Sequence, residues 1–329
     1  MAMIGACHSP DAHEKAAFKL RYDAVEHYVF SNLDSFRGRV IQGTVLRDLV
    51  QALQATYLVL IYQSWDGSQI ARTDVRRKRF AQMVESVHSL DVGSAAHNDY
   101  RQVELHDFDW LTFVGMDEMI RLLTWCFLVD SAFSIFFNIA PRFILRELQM
   151  GLSSPETCFG ASSPEECLLE LQKWQCQAGT EYTLYEIVKD ALSPTLDLQG
   201  QIRMACQSTI TMFAIISALH VLIFNSDPSI GQTSQYVPIY NGLSNWQAVW
   251  NRRKIILQCS PRELGHPGFW QHCPDYWLLA KLLIQQITQF ASQCQPRAKP
   301  LRPCYDEESQ RRLHGFICHY ESSQACGAF

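Results

Sequence analysis

The chain reads as an all-α fold: a multi-helical domain with buried central helices and no substantial sheet. Three observations carry that expectation. Apolar residues recur at steps of three and four through several long segments, the period of a helix with one face in a core. No segment of useful length alternates apolar and polar residues as a half-buried strand would. No unit recurs at a fixed period, which argues against a regular solenoid.

Residues 14–35 are helix-favouring with scattered aromatics, and a turn follows near Ser35-Phe36-Arg37-Gly38. In 44–63 the apolar positions Leu46, Leu49, Val50, Leu53, Tyr57, Leu60 and Ile61 make one helical face, ended by Trp65-Asp66-Gly67. Residues 70–90 form another helix, with Val75, Phe80, Met83, Val84 and Val87 apolar around a basic cluster. The polar stretch 91–109 reads as loop, and a long apolar helix spans 117–138. Gly151 to Pro155 breaks the chain. Ser163-Pro164-Glu165-Glu166 then reads as a capping box with Pro at the first helical position, opening a helix to about 178. A second long apolar helix covers 201–224, closed by Asn225-Ser226-Asp227-Pro228. A loop over 226–243, a helix over 245–258, a Gly/Pro-broken stretch over 260–274 and an amphipathic helix over 275–293 complete the pass. The expected organisation is an N-terminal segment (1–43), a helical domain (44–295), and a Pro-containing linker with a polar tail (296–329).

The central segment is the most informative. Asp117, Arg121, Thr124, Ser131, Ser134 and Asn138 fall on one stripe of the helix, and almost everything else on it is apolar. Such a helix is buried in a domain or crosses a membrane. Asp130 argues against crossing, since a central Asp costs roughly 2.5–3.5 kcal/mol on insertion, and the apolar run falls short of about 20 residues. No membrane association is expected. Asp130 lies off the polar stripe and is expected to be buried, with Arg142 or Arg146 as its charged partner.

With 329 residues, 47% hydrophobic and 19% charged, the chain can build a sizeable core. A net charge of −5 supplies no basic field toward nucleic acid. No basic start followed by an apolar stretch and a cleavage site reads as a secretory signal. Twelve cysteines are scattered, without repeated C-x-x-C, and read as reduced, packed thiols. Glycine loops for phosphate are absent from the sequence. Gly160-Ala161-Ser162-Ser163-Pro164 lacks the last glycine of a nucleophile elbow. Cys and His gather at Cys7-His8…His13, at Cys259…His266…His272-Cys273 and at Cys318-His319, none with the paired spacing of a zinc site. His220 reads as a hydrogen-bonded core histidine. No catalytic residue, metal site or cofactor is therefore expected. The alternative is a biosynthetic enzyme or small-ligand binder with an all-α pocket, terpene-cyclase-like for example. Its acidic motifs are poorly matched by Asp306-Glu307-Glu308, Asp107-Phe108-Asp109 and Asn98-Asp99. The run Arg76-Arg77-Lys78-Arg79 is a candidate nuclear import signal, although four adjacent cations cannot share one helix face.

The order of Trp110, Glu118, Arg121, Asp130, Ala140-Pro141, Glu147 and Leu148, preceded by the helix over 49–62, Trp65 and a basic helix over 76–90, resembles the fungal-specific transcription factor domain. That is the helical middle region of zinc-finger fungal regulators. The resemblance covers about 44–180 and more loosely the helices to 293. Ile120, Ala140 and Phe159 depart from the commoner residues of the pattern. The resemblance implies a transcriptional regulator in the nucleus, controlling a metabolic or secondary-metabolite gene set. It also implies other regulators or a homodimer partner, and a small effector. Zinc would come only through an upstream module. Cys7, His8 and His13 before the helical region cannot make a finger, so the expectation is that this chain does not itself bind DNA sequence-specifically.

Overall fold

A computed structural model describes residues 5, 10–36, 44–89, 95–179, 182–226, 236–258 and 272–293. Among them the all-α expectation holds: there is no named strand, and one isolated bridge joins Gly151 and Thr183. The helices are α1 (Ala12–Lys19), α2 (Tyr22–Asp34), α3 (Thr44–Asp66), α4 (Gln69–Asp74), α5 (Phe80–Ser89), α6 (Trp110–Phe137) and α7 (Glu156–Phe159). They continue with α8 (Pro164–Ala178), α9 (Leu184–Ala191), α10 (Leu198–Ala205), α11 (Thr209–Asn225), α12 (Val237–Gln258) and α13 (Cys273–Gln293). The expected linker and tail from 296 lie outside the described residues, as does the expected boundary at 43.

Two apolar helices, α6 and α11, pack on each other at the centre. On one side α3 lies against α6 and carries α2. There Tyr22 stacks on Tyr62 at 4.7 Å and donates its hydroxyl to the Val59 carbonyl at 3.4 Å. On the other side α9, α12 and α13 surround α11. Trp246 of α12 is buried and donates its indole N–H to the Met212 carbonyl at 2.9 Å. His220 is buried and bonds the Tyr276 carbonyl at 2.8 Å. Burial pushes its pKa down to about 4, partly offset by that bond, so the ring is neutral and donates. The buried thiols follow the same physics. Burial drives Cys126 and Cys273 up to about 12 and Cys167 to about 11, and Cys158 higher still, which keeps them protonated hydrophobes.

Several boundaries differ from the sequence reading. The central helix starts at Trp110 rather than 117, because Asp109 caps it: its Oδ1 accepts from the Thr112 N–H at 3.1 Å. It ends at Asn138, whose φ of 50° is a left-handed geometry Asn tolerates. At this length it could cross a membrane by length and composition alone, yet 72% of its most apolar window is buried inside the fold. The polar stripe on it is buried rather than wet: Asp117, Thr124, Ser131 and Ser134 are each at most 4% exposed. The hydroxyls bond back to carbonyls of their own helix, Thr124 to Ile120 and Ser131 to Leu128, both at 2.8 Å.

The apolar run 201–224 is two helices, α10 and α11, bent by 116°. Gly and Pro play no part in the break. Ser208 caps α11 by accepting from the Thr211 N–H at 3.3 Å, a signal hidden between two helical patterns. The expected loop over 226–243 is helical from Val237 onward, with Pro238 in the first turn, where its lacking N–H costs nothing. The helix over 70–90 is α4, a π-helical turn at Val75–Arg79, and α5. Ser163 caps α8 as expected, accepting from the Glu166 N–H at 3.2 Å, with Pro164 at the start. The reciprocal half of the box is not made, as Glu166 bonds the Ser162 N–H at 3.0 Å. A complete box forms at Thr183 and Glu186, opening α9.

Candidate functional site

The most elaborate polar site lies where α6 meets the chain before it and the segment after it. Asp117 projects from α6 and is fully buried. Its Oδ1 accepts from His97 Nε2 at 3.0 Å and from the Ser154 N–H at 2.8 Å. Its Oδ2 accepts from Arg121 Nε at 2.7 Å and from the Ser154 hydroxyl at 3.0 Å. Arg121, one turn along, also donates to the Ser154 carbonyl at 2.5 Å and covers the Phe159 ring at 4.3 Å. His97 stacks on Phe113 and meets Trp174 edge-on. Burial pushes the Asp117 carboxyl up, but the His97 bond, the Arg121 and His97 charges and the Ser154 N–H outweigh it and hold it below the usual carboxylate range. An ionised carboxylate has no proton to give, so Nε2 of His97 carries the hydrogen. Four donors occupy the two oxygens, which leaves no free geometry for proton abstraction. The arrangement locks three distant segments together. Asp117 and Arg121, neighbours on the polar stripe read from the sequence, are thus an ion pair one turn apart.

Asp130 is buried about three-quarters of the way along α6, at 1% exposure. Its Oδ2 accepts two backbone N–H groups, from Arg142 at 2.6 Å and Phe143 at 2.8 Å. The Arg142 guanidinium turns elsewhere. It donates to the Arg77 carbonyl at 3.0 Å and lies 5.3 Å from the Phe80 ring. Arg146 is exposed on a 3-10 turn, Leu145–Glu147, where its carbonyl accepts from Gln149 at 2.6 Å. Burial raises the Asp130 pKa to about 6 against the pull of the two N–H groups and the Arg142 charge.

The basic run sits on the π-helical turn, which turns its first and last cations inward and its middle two outward. Arg76 is half-buried: it donates to the Ser64 carbonyl and its guanidinium lies 3.3 Å from the centroid of Phe137. Burial, then the nearby Arg72 charge, lowers its pKa to about 10. Arg79 is paired with Glu26 at 2.7 Å and lies over Phe30 at 4.7 Å. Arg77 and Lys78 are exposed, and Lys78 pairs with Asp74 at 2.9 Å.

Cys7, His8, Cys259, His266, Cys318, His319 and Asp306-Glu307-Glu308 lie outside the described residues. His272 pairs with Asp275 at 2.9 Å, and Cys273 is buried in the core. No group of three or more His, Cys, Asp or Glu among the described residues could hold a metal ion. Asp109 caps α6 and Ser163 caps α8, which accounts for two of the weaker motifs structurally.

A second charged site was not legible at all. Arg253 of α12 is 3% exposed. It donates to the Ala205 carbonyl at 2.8 Å, to the Gln207 carbonyl and to Thr209 Oγ1 at 2.9 Å, with Glu156 at 3.8 Å. It therefore holds both sides of the α10–α11 bend.

Compared with known proteins, the chain is similar to Transcription factor verF of Penicillium polonicum, at 32% identity over 355 aligned positions. The match takes in 98% of this chain and 48% of that protein, so the chain spans about half the length of the curated relative it matches. No protein-family model matches the chain, and no solved structure matches it.

Proposed function

We propose that this chain is the helical regulatory region of a fungal transcription regulator, acting in the nucleus on a metabolic or secondary-metabolite gene set. The similarity to a fungal transcription factor along 98% of the chain is the observation that carries the reading. The physical character of the sites agrees with it. The most heavily bonded charges, Asp117, Arg121 and Arg253, are spent on joining helices rather than on a reacting group. Regulation through partner regulators or a homodimer partner, and through a small effector, suits such a scaffold. Sequence-specific DNA reading by this stretch alone has little to stand on. The chain is acidic, and the basic run exposes two cations where several phosphate contacts and a groove-reading element are needed.

The direct test is to tether the chain to a heterologous DNA-binding domain upstream of a reporter in a filamentous fungus. A change in reporter transcript of several-fold is expected. A soluble, nuclear fusion that leaves the transcript unchanged would overturn the reading.

For import, the structure separates two pairs within the run. Arg76 and Arg79 are structural, so replacing all four cations confounds import with folding. The Arg77→Ala/Lys78→Ala double variant touches the exposed pair. It should keep its thermal stability and shift a fluorescent fusion of the chain towards the cytoplasm. Full nuclear retention by that folded variant would reject the import role.

A further inference from the structure

The segment between α6 and α7 is fixed at both ends and held in the middle by one carboxyl. At its start, Asn138 closes α6 in a left-handed conformation, and the Ile139 N–H returns to the Phe133 carbonyl at 3.2 Å. At its far end, the Leu148 carbonyl accepts from the Tyr185 N–H and the Met150 carbonyl from the Leu184 N–H, both at 2.9 Å, which pins it to α9. In between, Pro141 has no N–H to offer. The next two amides, Arg142 and Phe143, both go to Asp130 Oδ2. Its other oxygen, Oδ1, is buried and takes no hydrogen bond among the described residues.

The middle of this segment in turn touches the basic turn. Arg142 donates to the Arg77 carbonyl at 3.0 Å, so its backbone stands between a buried acid and an exposed cation pair. Phe143 is buried, with its ring against His88 of α5, and His88 lies 3.4 Å from Glu147, whose Oε2 takes the Ile144 N–H at 3.2 Å.

We propose that residues 139–147 form a proton-controlled strap, which protonated Asp130 keeps closed and whose release from the basic turn is favoured when that carboxyl ionises. The direction follows from linkage. Closed, the carboxyl is desolvated, and burial outweighs the two N–H groups, setting its pKa at about 6. Opened to water, it returns towards the ordinary 3.8. The closed form therefore binds the proton more tightly, is favoured below the ordinary value, and loses that advantage as pH rises through 6. The other titratable and charged groups facing this place are Cys126 one turn back on α6, Arg142 and Glu147 on the strap, His88 on α5, and Arg77 and Lys78 on the basic turn. Cys126 stays protonated throughout. His88 with Glu147 is the pair that must be separated from Asp130 by experiment. The strap does not depend on whether an import receptor reads Arg77 and Lys78.

Amide hydrogen exchange of the intact chain between pH 5 and 7.5, corrected for intrinsic rates, tests it. In the wild type, opening of the amides of 142–144 should increase with a midpoint near pH 6, by about 10-fold across this window, the part of the linkage between the two carboxyl affinities that falls above pH 5. Amides of α11 should show no such step. Asp130→Asn keeps an oxygen for both N–H groups and cannot ionise, so its strap should stay closed and flat with pH. His88→Gln should retain the wild-type step. A flat wild-type profile, a step that survives in Asp130→Asn, or one abolished by His88→Gln would each overturn the proposal.

Discussion

Asp117→Ala should lower the free energy of unfolding by about 3–5 kcal/mol, the range for removing one partner of a buried ion pair. The loss is large because the carboxylate serves four donors. Without it the Arg121 Nε–H, the His97 Nε2–H and the Ser154 N–H lose their acceptor inside the fold. Asp117→Asn should be milder, because one amide oxygen can still accept while the amide nitrogen opposes a donor. The sign with pH is fixed by the same bonds. A carboxyl held below its ordinary value contributes stability that is present above that value and lost as pH falls. Urea denaturation at neutral pH measures this through the midpoint at unchanged slope. A change under about 1 kcal/mol for the alanine variant would refute the role assigned to Asp117.

The contrast between Asp117 and Asp130 shows how much of the molecule could be read in advance. The helix that carries both was plain from its composition, as were the faces of α3 and α13, because periodicity is a local property. The burial of Asp130 was also readable, since it interrupts an apolar surface. The bonds it makes were not. The sequence offers two arginines nearby, but the carboxyl is reached by backbone N–H groups, which every residue carries and no composition reveals. Asp117 was harder still. It sits on a stripe that looks wet, and its partners His97 and Ser154 lie 20 and 37 residues away. The basic run looked uniform, whereas a π-helical turn and two aromatic rings draw Arg76 and Arg79 inward. Nothing in four consecutive cations announces which of them has a ring beneath it.

Arg253 presents the same difficulty, and its removal should be the second large effect. Arg253→Ala is expected to cost about 3–5 kcal/mol, again the penalty for emptying one side of a buried charged arrangement. The Ala205 carbonyl ends α10 and the Gln207 carbonyl lies in the bend just past it, with no further helical turn to satisfy them. Thr209 opens α11, with its N–H on Glu156 Oε1 at 3.0 Å. One planar guanidinium thus reaches the last carbonyl of one helix, the carbonyl just past it and the first residue of the next, across a bend of 116°. Arg253→Lys keeps the charge but presents a single point in place of a fork. It can satisfy one carbonyl and leaves the others, so a loss on the order of 1.5–3 kcal/mol is expected, the worth of a hydrogen bond to a charged group. The location of the damage distinguishes this account from a general loss of packing. Amides of 205–211 should lose exchange protection in Arg253→Lys while those of α6 keep theirs. If α6 and the bend lose protection together, or if the lysine variant is as stable as the wild type, then the bend is held by the packing of α10 and α11 on their neighbours and not by Arg253.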